Sequence, residues 1–284
     1  MPRVALIQQS ATTDKAANLA RGLAALEEAA AGGAQLACFA ELAFEPFYPQ
    51  RPAEGDVRAL AEEIPGPTTR ALCAKAKELG LVIVANLYER DGDKTYDSSP
   101  VIDADGTLLG VTRMLHITEY ACFHEQGYYD PGDTGLPVYE TAAGRIGVAI
   151  CYDRHYPEVM RGLAVGGAQL VCIPQAGAVG EWPEGLYEAE LQVSAFQNGY
   201  FTALANRVGE EEHLNFAGES FFCGADGRVI ARAPAAEDHI LFADLDYTEL
   251  ESSHAKQLFL RDRRPELYGG WLGQSTFGHE SGDS

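Results

Sequence analysis

Lysine is scarce in this chain: positions 15, 75, 77, 94 and 256 carry the only five among 284 residues. Chemistry that needs an ammonium has few places to find one. Apolar runs are short as well. None approaches the roughly 18 residues of a membrane-crossing helix, and the start, Met1 to Ile7, already reads as a strand. Neither a transmembrane segment nor a signal peptide is expected. No Gly-rich phosphate loop is present, and the seven histidines show no HExxH or other ligand spacing. The expectation is therefore no metal and no cofactor. No basic patch stands out either, and the formal net charge of −21 argues against nucleic acid or an anionic membrane as partner. That charge is compatible with a cationic small-molecule substrate. The six cysteines (38, 73, 122, 151, 172 and 223) are scattered, several of them in apolar runs. They read as free thiols of a cytoplasmic protein, not as a disulfide framework.

What is present is enough apolar material, 46% of the residues, for a large core. No linker divides the chain. One α/β domain over residues 1–270 is expected, followed by a Gly- and Ser-rich tail, 271–284, that is flexible or grips a partner. The pattern predicts strands at 4–8, 35–40 and 81–88, a helix capped by Thr12 or Thr13 and running to Ala31, and a second helix from Thr68 to Leu79. Leu19, Leu23, Leu26 and Ala30 form the buried stripe of the first helix. A hairpin joins 96–103 to 108–116, and 117–134 shows no period and reads as a loop. Strands follow at 138–140, 146–150, 170–174, 201–206, 219–223, 228–231 and 240–244. Helices are expected at 158–165, 187–197 and 250–260. Strand, helix, strand, helix, then hairpins, then the same again gives a layered α/β fold.

Two strand ends hold the candidate chemistry. The apolar run Ile146 to Ile150 stops at Cys151, with Pro157 and a helix-like stretch close behind. A thiol at a strand end near a helix start favours an accessible, partly ionised nucleophile. Glu41 directly follows the run Leu36 to Ala40. In parallel α/β sheets the carboxyl ends of strands gather at one edge, where sites form. Such an edge would bring a carboxylate within reach of the thiol proton.

Seven segments, Phe39-Ala-Glu-Leu42, Arg113-Met-Leu-His-Ile117, Phe123-His-Glu125, Pro131-Gly-Asp133, the cysteine turn, Ala205-Asn-Arg-Val-Gly209 and Arg263-Arg-Pro-Glu-Leu-Tyr268, run in this order across the chain. Together they resemble the nitrilase superfamily, the carbon–nitrogen hydrolases. The resemblance implies a four-layer αββα sandwich, dimerised helix face to helix face and often assembled further. It implies Glu41 as general base, Cys151 as nucleophile, and a second glutamate, Glu125, that positions substrate or base. The backbone N–H of Tyr152 and a lysine would hold the oxyanion. The Cys151-Tyr-Asp-Arg-His-Tyr-Pro-Glu158 turn is most similar to the N-carbamoyl amidohydrolases, of the β-ureidopropionase or N-carbamoylputrescine kind. Nitrile cleavage is the less expected chemistry.

The expected lysine is missing. Its slot holds Met114, and alternation along that strand places Thr112, Met114 and His116 on one face and Arg113 on the other. Loss of one oxyanion donor typically costs about 3–4 kcal/mol, and a thiol without a cation beside it should titrate higher. His116 or a backbone group is the candidate replacement donor. Tyr48, Glu181 and Trp182 lie in stretches that could line the pocket and, with His116, are candidate substrate contacts. The sequence reading is hydrolysis of a non-peptide carbon–nitrogen bond, in an N-carbamoyl compound or small amide. A second reading, of another class, is a relative impaired or inactive at Met114, natural or engineered, that binds ligand or serves as a scaffold.

Overall fold

In β1 (Arg3–Gln8), Val4 and Leu6 point one way, Ala5 and Ile7 the other, and all four are buried. A strand apolar on both faces needs cover on both sides. The computed structural model, which describes residues 1–273, supplies it with a second sheet on one side and helices on the other. After β1 come α1 (Lys15–Ala31), β2 (Leu36–Phe39), α2 (Pro67–Leu79), β3 (Val82–Val84), β4 (Leu87–Asp91), β5 (Lys94–Ile102) and β6 (Leu108–Arg113). The short pair β7 (Glu119–Tyr120) and β8 (Phe123–His124) precedes β9 (Val138–Thr141), β10 (Gly144–Val148), α3 (Pro157–Val165), β11 (Leu170–Gln175), α4 (Leu186–Asn198) and β12 (Phe201–Asn206). The chain continues through β13 (Val208–Glu210), β14 (Asn215–Ala217), β15 (Phe221–Cys223), β16 (Val229–Arg232), β17 (His239–Asp244) and α5 (Pro265–Leu272).

One sheet has the order β17-β1-β2-β3-β5-β4, with β6 also on β5; the other has β16-β15-β12-β11-β10-β9. Each is parallel at its centre, β1 with β2 and β3 in the first, β10 with β11 and β12 in the second. Three apolar clusters separate four layers. Ala5, Ile7, Phe39 and Ile83 meet Leu26 of α1 and Leu72 of α2. Val4, Leu6, Leu36 and Val84 meet Ile146, Val148, Leu170 and Phe222 between the sheets. Val171, Ile173 and Leu204 meet Leu163 of α3 and Leu191 of α4. The molecule is the αββα sandwich anticipated above, and the carboxyl ends of both parallel centres open at one place.

Several elements differ from the sequence expectation. Helix α1 starts after Asp14, whose Oδ1 accepts from Ala17 N–H at 3.0 Å, so neither Thr12 nor Thr13 is its cap. Its buried stripe is Asn18, Gly22, Leu26 and Ala29, rotated from the Leu19–Leu23 line because Gly22 admits the Phe44 and Phe39 rings. The single strand expected over 81–88 is two, β3 and β4. Between them the buried Asn86 side chain bonds Leu42 N–H (2.7 Å), Asp97 (2.5 Å) and Ser99 (3.1 Å). The stretch 117–134 is not irregular throughout, since it holds β7, β8 and a 3₁₀ turn, Glu125–Gly127. The helix expected over 250–260 is a 3₁₀ turn (Tyr247–Ser252) and a π turn (Ala255–Phe259), interrupted where Ser253 takes an extended backbone. Helix α5 carries the chain past residue 270, and the rest of the expected tail lies outside the described residues from 274 onward. No helix among the described residues is long and apolar enough to cross a membrane.

Candidate active site

Glu41 follows β2 by two residues and Cys151 follows β10 by three. Both are buried, together with Glu125, and one donor atom from each lies within 4.8 Å of the others. The Glu41 backbone is held by Arg207, which follows β12. Its Nη1 donates to the carbonyls of Glu41 (2.9 Å) and Leu42, and its Nη2 to that of Glu45 (3.1 Å) and to the Glu211 carboxylate. The Glu41 side chain itself accepts from no N–H among the described residues. The Cys151 thiol and the carboxyl of Asp97 are its buried neighbours. Glu125 opens the 3₁₀ turn after β8, and its Oε2 accepts from Thr118 N–H at 3.3 Å.

Cys151 begins a 3₁₀ turn, Cys151–His155, with its backbone at φ +42°. That left-handed conformation is uncommon for a residue with a side chain. The Gln175 amide at the end of β11 donates to Sγ at 3.2 Å, and the Ala176 N–H also faces the sulfur. Arg154 orients that amide, its Nη1 donating to Gln175 Oε1 (2.6 Å) and to the Cys151 carbonyl (3.1 Å). Glu41, Glu125 and Cys151 are the one group among the described residues spaced for a metal ion. The set holds no histidine, and the Gln175 amide already donates to its sulfur, an arrangement suited to a nucleophile beside acids.

Burial governs the proton positions. It pushes the Cys151 thiol well above its usual range, the Glu41 and Glu125 carboxyls adding to the effect and Arg154 opposing it. The sequence expectation of an accessible, partly ionised thiol is therefore overturned, because Cys151 is only 5% exposed and the α-helix starts six residues later, at Pro157. Burial also raises Glu41, to about 8, with Glu125 as the next cause. It raises Glu125 too, reinforced by Asp97. A neutral thiol beside a high-pKa carboxyl can react only if the carboxylate takes its proton as the sulfur attacks.

The remaining sequence candidates fall in three places. Met114 is fully buried just beyond β6; its N–H donates to Asp97 O (2.9 Å) and its carbonyl accepts from Gly132 N–H (2.7 Å). None of the five lysines is buried, so none enters the cluster. Because β6 ends at Arg113, His116 does not share a strand face with Met114 as expected. It turns to the Asp153 carboxylate (Nδ1 at 2.7 Å) and stacks on Tyr156. Tyr152, next to the nucleophile, packs its ring edge-on to His155 and Tyr156. Glu181 accepts from Tyr120 OH (2.5 Å) and Tyr187 OH (2.6 Å). Trp182 lies edge-on to His155 and Tyr120. Tyr48, half-buried, donates to Glu45 at 3.2 Å.

Asp97, Gln175, Arg154, Arg207, Tyr120 and Tyr187 were not singled out from the sequence as site residues. Gln175 carried the signal that revealed Glu41, a polar residue closing a buried strand. Arg207 lies inside a segment already quoted. Asp97 carried no signal, because β5 is buried on both faces after its first residue and gives no alternation to mark an inward acid.

Comparison with known proteins agrees with this geometry. Residues 3–255 match the carbon–nitrogen hydrolase family. An N-carbamoylputrescine amidase of Solanum lycopersicum is 35% identical over 279 residues, 93% of each chain. A citrullinase of Francisella tularensis is 31% identical, over 94% of this chain and 96% of that one. A carbon–nitrogen hydrolase from Helicobacter pylori G27 has a TM-score of 0.88 at 27% identity, covering 95% of this chain and 98% of that one. A glutamate-to-glutamine mutant of the amidase from Nesterenkonia sp. AN1, with the acetamide moiety of fluoroacetamide covalently added at its active-site cysteine, has a TM-score of 0.80. It is 27% identical, with 95% of this chain and 97% of that chain covered.

Proposed function

The chain belongs to the carbon–nitrogen hydrolase family, and from that premise we propose that it hydrolyses an N-carbamoyl compound or small amide through a thioester on Cys151, with Glu41 as general base. The observation that carries this reading is the buried convergence of Glu41, Glu125 and Cys151 within 4.8 Å. In the first half, the Glu41 carboxylate takes the thiol proton as Sγ bonds to the carbonyl carbon. The C–N bond breaks, Glu41 passes that proton to the leaving nitrogen, and ammonia departs. In the second half, water gives a proton to Glu41 and its oxygen attacks the thioester carbon. The C–S bond breaks and the sulfur recovers the proton. From an N-carbamoyl substrate the product is a carbamate, which loses carbon dioxide to leave the amine. The Tyr152 N–H is assigned to the oxyanion and Glu125 to the substrate amide.

Among N-carbamoyl compounds, a ureido-amine is favoured. Glu181 and the tyrosines that hold it lie beside the cluster, and the molecule carries −21 overall. The same reading makes the protein a cytoplasmic homo-oligomer. The exposed Val193, Leu258 and Phe259 on the outer helical layer support that assembly, and light scattering on the eluting protein tests it.

Ammonia release from ureido-amines, ureido acids and simple amides tests the chemistry. Release is expected from the ureido-amines, rising with pH toward about 8 as Glu41 ionises, and absent in Cys151→Ala. Glu41→Gln should lower the rate roughly 10²–10⁴-fold. Silence across the panel, with no mass gain on Cys151, would leave a ligand-binding relative as the better reading.

A further inference from the structure

Asp97 is fully buried in β5, and the described residues offer its Oδ2 no N–H or O–H donor. Its Oδ1 is fixed by Asn86 Nδ2 at 2.5 Å, while Asn86 Oδ1 accepts from Leu42 N–H at 2.7 Å. One asparagine thus ties Asp97 to the residue after Glu41. On its other side, the Asp97 carbonyl accepts from Met114 N–H. Asp97 stands between the general base and the position where a lysine was expected. Its carboxyl and that of Glu41 are buried neighbours that act on each other, and both Glu41 oxygens, like Asp97 Oδ2, have no N–H or O–H donor among the described residues. Two carboxyl groups can bond to each other only through a proton.

The surroundings do not supply the missing charge. The titratable groups facing the pair are Glu125 from the segment after β8, Asp153 and the Cys151 thiol from the nucleophile turn, and the Tyr129 hydroxyl. The cation acting on Glu41 is Arg207, whose guanidinium is committed to the carbonyls of Glu41, Leu42 and Glu45 and to Glu211. An unpaired dianion buried here would be far too costly.

We infer that Asp97 is a protonated acid whose hydrogen bond holds the Glu41 carboxylate against the Cys151 thiol, so that one shared proton orients the base where an ammonium at position 114 would have done so. Asp97 is then a positioning residue acting through Glu41. Desolvation raises it well above the carboxylate range, the neighbouring Glu41 charge raising it further. The pair titrates as a unit.

This inference rests on Glu41 being the base, so its test avoids turnover. The alkylation rate of Cys151 by iodoacetamide, followed by intact mass against pH, reports Glu41 as thiol base even in a chain that releases no ammonia. If Asp97 is neutral, Asp97→Asn exchanges one uncharged donor for another. Its inflection should stay within about half a unit of the unaltered protein, with under tenfold loss of rate. Asp97→Leu removes the donor, so its inflection should rise by about a unit or more and its rate at neutral pH should fall roughly ten- to a hundredfold. A downward move of about a unit in Asp97→Asn would mean that an ionised Asp97 had been removed, and would overturn the inference. So would an Asp97→Leu profile identical to that of the unaltered chain. If the leucine variant does not fold, infrared spectra decide with Asp97→Asn alone. One protonated-carboxyl C=O band should disappear in that variant, and its retention overturns the proposal.

Discussion

The backbone at Cys151, φ +42°, is a conformation that costs a non-glycine residue about 1–3 kcal/mol. It persists because the turn is fastened on both sides: Arg154 and Gln175 hold the cysteine itself, and the Asp153 carboxylate takes the N–H groups of Leu115 (3.0 Å) and His116 (3.1 Å). The same fastening fixes Met114, the residue before Leu115, against Asp97. Met114→Lys therefore introduces a cation next to the shared proton. The expected outcome is a fall of about a unit or more in the pH at which Cys151 alkylation and ammonia release reach half their plateau. An unchanged midpoint would show that side chains at 114 do not reach the base. The sequence made this position conspicuous, because a motif left a slot and the slot was wrong. It could not display the compensation. Asp97 lies 17 positions away in an evenly buried strand, and only the pairing of β5 with β6 makes it a neighbour of Met114.

Among the elements, the end of β6 is the most tightly specified. Arg113 turns away from the site, as alternation required, to Glu89 (2.6 Å), Asp91 (2.8 Å) and Asp133 (2.9 Å), and its guanidinium lies over the Tyr96 ring. The Pro131-Gly-Asp133 segment now has a physical reason. Asp133 pairs with Arg113, and Gly132 lies so close to the strand end that a Cβ there would fall 2.5 Å from Arg113 O and 2.7 Å from Met114 O. Backbone on both sides cannot give way cheaply. Gly132→Ala should cost about 1–3 kcal/mol of stability and lower ammonia release by displacing Met114 from Asp97. A melting temperature equal to that of the unaltered chain would refute the close approach. The parallel centres of both sheets were legible because their strands are short, apolar and separated by helix-like stretches. The break between β3 and β4 was not, because it depends on Asn86 bonding to Leu42, Asp97 and Ser99, and all three lie in other strands or loops. The rotated stripe of α1 was hidden for a similar reason, since Gly22 is buried by rings that follow it by about twenty residues.

For the molecule as a whole, the site sets a pH dependence of folding that runs opposite to the usual carboxylate behaviour. A carboxyl depressed by a salt bridge stabilises the fold as pH rises; one raised by burial does the reverse, because the folded state then binds more protons than the unfolded chain. Glu41 rises from an ordinary 4.5 to about 8 on folding. Its effect is absent below 4.5, grows through the interval, and is fully felt above about 8. The span corresponds to at most about 5 kcal/mol lost as pH climbs. Surface repulsion in a chain of net charge −21 also weakens the fold over this range, but it is common to any variant that leaves the exterior alone. Glu41→Gln keeps the shape, removes the titration, and so isolates the buried term. Thermal melts of the two proteins at a series of pH values should coincide near pH 4 and diverge above it, with the glutamine variant the more stable by several kcal/mol near pH 8. It would also be the less active, since the group that burdens the fold is the one proposed to take the thiol proton. Parallel curves across the whole interval would mean that Glu41 is not held in the protonated form by its surroundings.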